Sequence, residues 1–464
     1  ESPLTGPGAG GFMLVHTAGG EDHLLDFFVA APGRDLEAGA EPAALVPVDV
    51  HFSDEAVQVF NVGPSSCGVH GTPVGLAQAL RRFGTLSLGD LTGEPARVAR
   101  EGHELTPIEG EFMEVLGPIL TSTPEVAAIY APGGRVITTG EVLRLPELAD
   151  LLDRLGAEGP GFLYSGDVGA ACSDWVLERG GLLTRQDLRS YQVVEREPAR
   201  ARYRGREILT NPPPSSGGIL IAYSLGLLER AGGRVTVRRL VEVMDEANRA
   251  RTDDFVHGLH SEGYLERFLA KEALEKAASR LGSTTHVAVL DDEGRCASVT
   301  CSNGSCSGVV VPGTGMHLNN MLGEEDLNPL GFHRHTPGRR IPSMMAPTVV
   351  LQDGRAQMAL GSAGSNRIRS AILQTTLGVI DDDLTAQEAV DRPRVHWEGR
   401  AVEAEPGIDE DELAALEREG RPVIRFSDRS LYFGGVQAVA RDFETGALSG
   451  GGDPRRGGAA VVVR

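Results

Sequence analysis

Residues 282–291 read Gly-Ser-Thr-Thr-His-Val-Ala-Val-Leu-Asp, with two threonines set directly before an apolar stretch. A threonine hydroxyl is too weakly acidic to attack an amide unless a base removes its proton. Cleavage of the chain between Ser283 and Thr284 would supply that base. The freed α-amino group has an ordinary pKa near ~7.7–8.0 and lies within reach of the Oγ of the same residue. The competing reading is a threonine-rich strand, because threonine favours extended backbone. Two further hydroxyls, Thr300 and Ser302, share one strand parity after the next turn. Gly361-Ser362-Ala363-Gly364-Ser365-Asn366-Arg367 is a small-residue loop ahead of a helical pattern. Backbone N–H groups at such a helix start suit a developing oxyanion. A nucleophile and oxyanion donors are parts that acyl transfer needs.

These residues have to be held by elements that the pattern also predicts. Thr285 to Leu290 and Arg295 to Cys301 read as a hairpin around Asp291-Asp292-Glu293-Gly294. A second hairpin joins Thr348–Leu351 to Ala356–Leu360. Helical spacing runs over Leu143–Leu155, Leu240–Ala250, Ile368–Thr376 and Asp409–Arg418. A further helix is expected from Thr72, with Thr72 as N-cap and Pro73 in the first turn. Pro212-Pro213-Pro214 marks a loop, since three prolines fit neither a helix interior nor a central strand. Strands and helices come in blocks without regular βαβ units, which predicts a layered α+β fold.

Composition narrows the class of function. By length, 464 residues could form two or three domains. The absence of repeats or a low-complexity linker favours one intertwined domain. A net charge of −21 argues against nucleic acid or an anionic membrane surface as partner. No apolar run approaches the ~18 residues of a membrane span. Five cysteines are an odd count for a disulfide framework. Cys296, Cys301 and Cys306 recur every five residues, which puts successive ones on opposite strand faces and off zinc-ligand spacing. Reduced structural thiols are expected, with no metal and no organic cofactor. Gly6, Gly8 and Gly11 satisfy G-x-G-x-x-G, but Pro7 and the strand pattern at Phe12–Val15 exclude a dinucleotide turn, which opens a helix.

Residues 282–289, 304–320, 343–348 and 361–367 together resemble the small subunit of the gamma-glutamyltranspeptidase family. Upstream, residues 6–13, Asp26-Phe27 and residues 212–218 resemble its large subunit, in the same order. The resemblance implies the four-layer αββα sandwich of N-terminal-nucleophile hydrolases. It also implies a zymogen that cuts itself into 1–283 and 284–464, which stay together as a heterodimer. Thr284 would be the nucleophile and Ser302 the hydroxyl that steadies it. Gly364 and Ser365 would be the oxyanion donors, with serine where the family has a second glycine. Asn303, Glu324 and Ser343 fall on substrate-binding positions. The family carries a helical segment before the first residue here, so part of the large subunit is expected to be missing. Glu1 to Gly6 is no signal peptide, and the cytoplasm is the expected compartment in preference to secretion.

Departures from the family pattern bear on substrate. Where the family has Asp-Phe-Arg-Glu, with arginine on the donor α-carboxylate, this chain has Asp26-Phe27-Phe28-Val29. Phe28 cannot form a bidentate carboxylate pair. Arg34 and Arg367 are the candidates to replace that arginine. Ser343-Met344-Met345 lacks one of the family's two hydroxyls, and an apolar acyl group facing Phe28 and Met344 is expected. The acidic run Glu324-Glu325-Asp326 reads as a solvated loop, with Glu324 at the amine-binding position. The expected activity is a Thr-dependent amidohydrolase or acyltransferase of glutathione metabolism, acting on a γ-glutamyl-type amide and passing the acyl group to water or an amine. The alternatives are an acylase acting on a non-glutamyl amide, or a silent, uncut scaffold.

Overall fold

Two antiparallel sheets stack face to face, and each draws strands from both sides of Thr284. The computed structural model describes residues 2–37, 39–51, 57–270 and 284–463. In chain order the sheet strands are β1 (Gly10–His16), β2 (Asp22–Phe27), β3 (Val194–Arg196), β4 (Ala199–Tyr203), β5 (Arg206–Thr210), β6 (Thr285–Leu290), β7 (Cys296–Ser302), β8 (Thr348–Gln352), β9 (Arg355–Ala363), β10 (Gly435–Arg441) and β11 (Leu448–Gly452). The first sheet runs β6-β7-β1-β2-β3 and the second β11-β10-β9-β8-β5-β4.

Period-two alternation decides what each face does. On β1, Phe12 and Leu14 face the second sheet, and Met13 faces outward. On β7, Ser298, Thr300 and Ser302 are buried between the sheets, whereas Val299 and Cys301 pack on the outer side. Cys296 and Cys301 thus lie on opposite faces. The inter-sheet core joins Phe12, Leu14 and Phe28 to Leu209, Val349 and Ala359. Each of the Phe, Leu and Val side chains here, fully buried, contributes roughly 1.5–3 kcal/mol. One polar staple crosses this core. Ser298 Oγ donates to the Leu360 carbonyl (3.0 Å) and accepts from the Thr348 N–H (3.1 Å).

Helices cover the outer faces, completing the αββα layering. Helix α1 (Thr72–Phe83) lies against Phe27 and Leu25 of the first sheet. Helices α2 (Ser216–Ala231), α3 (Val237–Arg249) and α4 (Arg367–Asp381) bury their apolar residues on the second. Thr72 is the first helical residue of α1, and Gly71 occupies the N-cap without a side-chain bond. There is no room for a side chain at Gly71, because a Cβ would meet the Tyr191 hydroxyl at 1.9 Å. The helix predicted over Leu143–Leu155 spans Pro146–Glu158, since Leu143 belongs to a short strand and Pro146 sets the first turn.

Candidate active site

Thr284 directly precedes β6. In the β6–β7 register Thr285 pairs with Cys301 and His286 with Thr300. One further step sets Thr284 across from Ser302. The parity of His286 is also that of Thr284, so both face the second sheet. Thr284 is 8% exposed and lines a cavity of about 230 Å³. Ser283 lies outside the described residues. Ser302 is fully buried, and its Oγ accepts the Gly304 N–H at 2.7 Å, which tightens the turn at the end of β7.

Ala363, the last residue of β9, borders the same cavity, and the loop to α4 leaves from there with Gly364 and Ser365 outside the lining. Gly364 follows at φ +112 and Ser365 at φ +51, and α4 starts two residues later. Glycine is required at 364: its φ suits no L side chain, and a Cβ would sit 2.8 Å from the Gly434 Cα. Ser365 adopts the left-handed conformation with a side chain attached, and its Oγ donates to Asp326 Oδ2 at 2.7 Å.

The remaining predicted residues lie outside the lining of this cavity and brace the frame around it. Asn303 is buried. Its backbone N–H donates to the Leu4 carbonyl (2.8 Å) and its Nδ2 to the Pro3 carbonyl (3.3 Å), holding two residues of the cavity wall. Glu324 is buried, and its Oε1 accepts the Ser305 N–H at 3.2 Å. Burial, together with the nearby Asp326 carboxylate, pushes the Glu324 carboxyl well above the usual range. Burial also raises Asp326, to about 6. The acidic run is therefore no solvated loop: Glu324 and Asp326 face inward and only Glu325 reaches solvent. Ser343 serves the frame. Its carbonyl accepts the Ser216 N–H (2.8 Å) and the Ser215 hydroxyl (3.0 Å) at the start of α2, and its own Oγ accepts the Met345 N–H.

Phe28 lies away from the lining of the Thr284 cavity. It is fully buried and stacks on Phe12 with ring centroids 5.2 Å apart. Met344 is buried on the opposite side of the second sheet, in the core under α2 to α4. Neither side chain lines the Thr284 cavity. Asp26 is a buried hub, bound by Arg340 (3.0 Å) and Arg196 (2.7 Å). Of the two replacement arginines, Arg367 donates Nε to the Tyr432 carbonyl (2.8 Å) and lies over that ring, and Arg34 packs beside Gly338. Neither lines the cavity.

Several residues at the site had no separate signal in the sequence. His286 lines the cavity two residues from Thr284, and its Nδ1 lies 2.8 Å from Thr300 Oγ1. Burial holds its pKa down to about 3, so the ring is neutral. Strand parity with Thr284 was the clue. Arg456, which donates to the Leu431 carbonyl, the His103–Glu109 pair (2.9 Å), Thr106 and Gln437 belong to the polar part of the lining. Leu4, Leu105, Phe112, Met113 and Leu143 supply the apolar part.

Comparison with known proteins agrees with this architecture. The family model described as gamma-glutamyltranspeptidase matches residues 1–463. The Acylase ACY 1 proenzyme of Pseudomonas sp. (strain V22) is 33% identical over all of this chain and 87% of its own length. The glutathione hydrolase proenzyme of Bacillus subtilis (strain 168) is 28% identical, over all of this chain and 85% of its own. Among solved structures, cephalosporin acylase from Bacillus halodurans superposes with a TM-score of 0.81 at 26% identity, covering 99% of this chain and 88% of that one. A match running nearly end to end, on a fold of two stacked sheets that sets Thr284 at a strand start, places this chain in the gamma-glutamyltranspeptidase family of N-terminal-nucleophile hydrolases.

Proposed function

We propose that this protein is a self-cleaving amidohydrolase that takes an apolar, non-glutamyl acyl group onto Thr284. In the precursor, Thr284 Oγ attacks the Ser283 carbonyl carbon, and the C–N bond breaks as the nitrogen takes a proton. Water then hydrolyses the ester. Two chains result, 1–283 with a new carboxylate and 284–464 with a new α-amine. In turnover that amine takes the Oγ proton as the oxygen attacks the substrate amide. The Gly364 and Ser365 N–H groups receive the oxyanion, and the Ser302 hydroxyl steadies the nucleophile. The leaving amine takes the proton from the Thr284 ammonium. Water, deprotonated by the same amine, releases the acid, or an acceptor amine takes the acyl group instead.

The observation that carries the acyl preference is the wall of Leu4, Leu105, Phe112, Met113 and Leu143 beside Thr284. Two further features support it. A glutamyl donor needs an arginine for its α-carboxylate and an ionised acid for its α-amine, and Arg456 of this lining already donates to the Leu431 carbonyl. Position 28 holds a core phenylalanine, and burial disfavours the ionised form of Glu324. The acylase names among the relatives point the same way.

Intact-mass spectrometry of wild type beside Thr284→Ala tests the nucleophile. Fragments ending at Ser283 and starting at Thr284 are expected in wild type alone, and a wild type that stays whole refutes self-cleavage. Butyryl-, phenylacetyl- and γ-glutamyl-p-nitroanilide then test the acyl group. A missing charge-pair contact is worth about 10²-fold or more in discrimination, so the apolar anilides should exceed the γ-glutamyl one in kcat/KM by at least about tenfold. The reverse order would establish the γ-glutamyl reading.

A further inference from the structure

Ser365 occupies a conformation that L residues avoid, at φ +51, two residues after Ala363 of the Thr284 cavity lining. A glycine there would hold it without help, and a serine needs an external constraint. The constraint is visible. Ser365 Oγ donates to Asp326 Oδ2 at 2.7 Å, and Asp326 is itself buried, with its second oxygen, Oδ1, lacking any hydrogen-bond partner. The turn that carries Asp326 is pinned on its far side. Asn328 Nδ2 donates to the carbonyls of Met321 (2.9 Å) and Glu324 (2.7 Å), and the Leu327 N–H closes back on the Glu324 carbonyl (3.1 Å). Asp326 is therefore a fixed post, and the serine hydroxyl is tied to it.

We propose that Asp326 is a positioning residue for catalysis: its bond to the Ser365 hydroxyl keeps the 364–365 backbone in the left-handed turn that presents its N–H groups to the oxyanion formed at Thr284. This rests on the Thr-nucleophile reading above. Without the bond, Ser365 relaxes toward negative φ, the 364–365 peptide rotates, and a donor leaves the oxyanion position. Serine at 365 and aspartate at 326 thus act as one unit, in which the second residue compensates for the side chain on the first.

The test is a mutant cycle on the processed enzyme, using the p-nitroanilide that wild type turns over fastest. Asp326→Ala should lower kcat about 10- to 100-fold, part of the ~10²–10³ lost with a whole oxyanion donor, and leave KM within about twofold. Asp326→Asn keeps an acceptor oxygen and should recover most of the rate. In a Ser365→Gly background, whatever its own rate, adding Asp326→Ala should cost less than about threefold. An equal loss in both backgrounds overturns the proposal, as does a loss carried by KM. If Asp326→Ala does not fold, Ser365→Ala and Ser365→Gly decide: the alanine variant should be the slower, and equal rates sink the idea. A crystal structure of Asp326→Ala reads the turn directly, and Ser365 remaining near its present φ counts against the proposal. A wild type inactive on every anilide refutes the amidase reading instead and leaves that structural readout standing.

Discussion

Gly361→Ala should damage this protein through one ring. Gly361 sits on β9 opposite Gln437 of β10, and the His286 ring of β6 lies flat against its Cα. A Cβ there would stand 2.3 Å from Cε1, 2.4 Å from Nδ1 and 2.8 Å from Nε2 of the ring. The ring has little freedom to move away: it is 5% exposed between the sheets, its Nδ1 is bonded to Thr300, and open space lies only on its cavity side. Overpacking of this kind costs about 1–3 kcal/mol, and breaking the Thr300 bond adds about 0.5–1.5 kcal/mol. The variant should therefore lose about 2–4 kcal/mol of stability. Thr284 is two residues along the same strand, and a ~1 Å displacement at a reacting group costs about 10²-fold. We expect kcat to fall at least about tenfold. Urea midpoints and kcat for Gly361→Ala, His286→Ala and the double variant test this. Removing the ring makes room for the methyl, so the double variant should recover about 1–3 kcal/mol relative to additivity. Additivity within about 0.5 kcal/mol would refute the reasoning, because the methyl would then be costing stability somewhere other than at His286.

Restoring the family's arginine by Phe28→Arg should not create a γ-glutamyl enzyme. The position is a fully buried stack on Phe12, and an unpaired buried charge costs several kcal/mol. Soluble yield should collapse, and a folded variant with gained γ-glutamyl-p-nitroanilide activity would contradict the placement. His317 predicts an acid sensitivity. Both its ring nitrogens are buried without a hydrogen-bond partner, the ring lies 5.2 Å from that of Tyr130, and burial lowers its pKa from 6.5 to about 4. With the folded pKa depressed, the unfolded chain binds the proton first. The stability that a neutral His317 supplies is complete above pH ~6.5 and is lost as pH falls toward about 4. His317→Phe should therefore lose less stability than wild type between pH 7.5 and pH 5 in urea titrations, and parallel losses would exclude this role.

The parts of this protein written in local pattern were readable from the chain alone. Period-two alternation placed the strand Thr285–Leu290 and set Cys296 and Cys301 on opposite faces, because strand geometry leaves a side chain only two directions. A hydroxyl pair before an apolar strand and a glycine–serine loop before a helix marked the nucleophile and oxyanion candidates, since those chemistries demand those residue types in those settings. What the chain did not reveal were the meetings of distant segments. Phe28 turns into the core, Ser343 caps α2, Asn303 holds Pro3 and Leu4, His286 rests on Gly361, and the acidic run turns inward so that Asp326 reaches Ser365. Local propensity acts over a few residues, whereas each of these contacts depends on how two sheets and their loops stack. Burial then gives the same side chain a different chemistry: desolvation and the neighbouring Asp326 carboxylate push the Glu324 carboxyl well above its ordinary range. Sequence determined which groups could react, and packing decided which of them face the cavity, because only the folded chain sets the distances and the solvent access on which their reactivity depends.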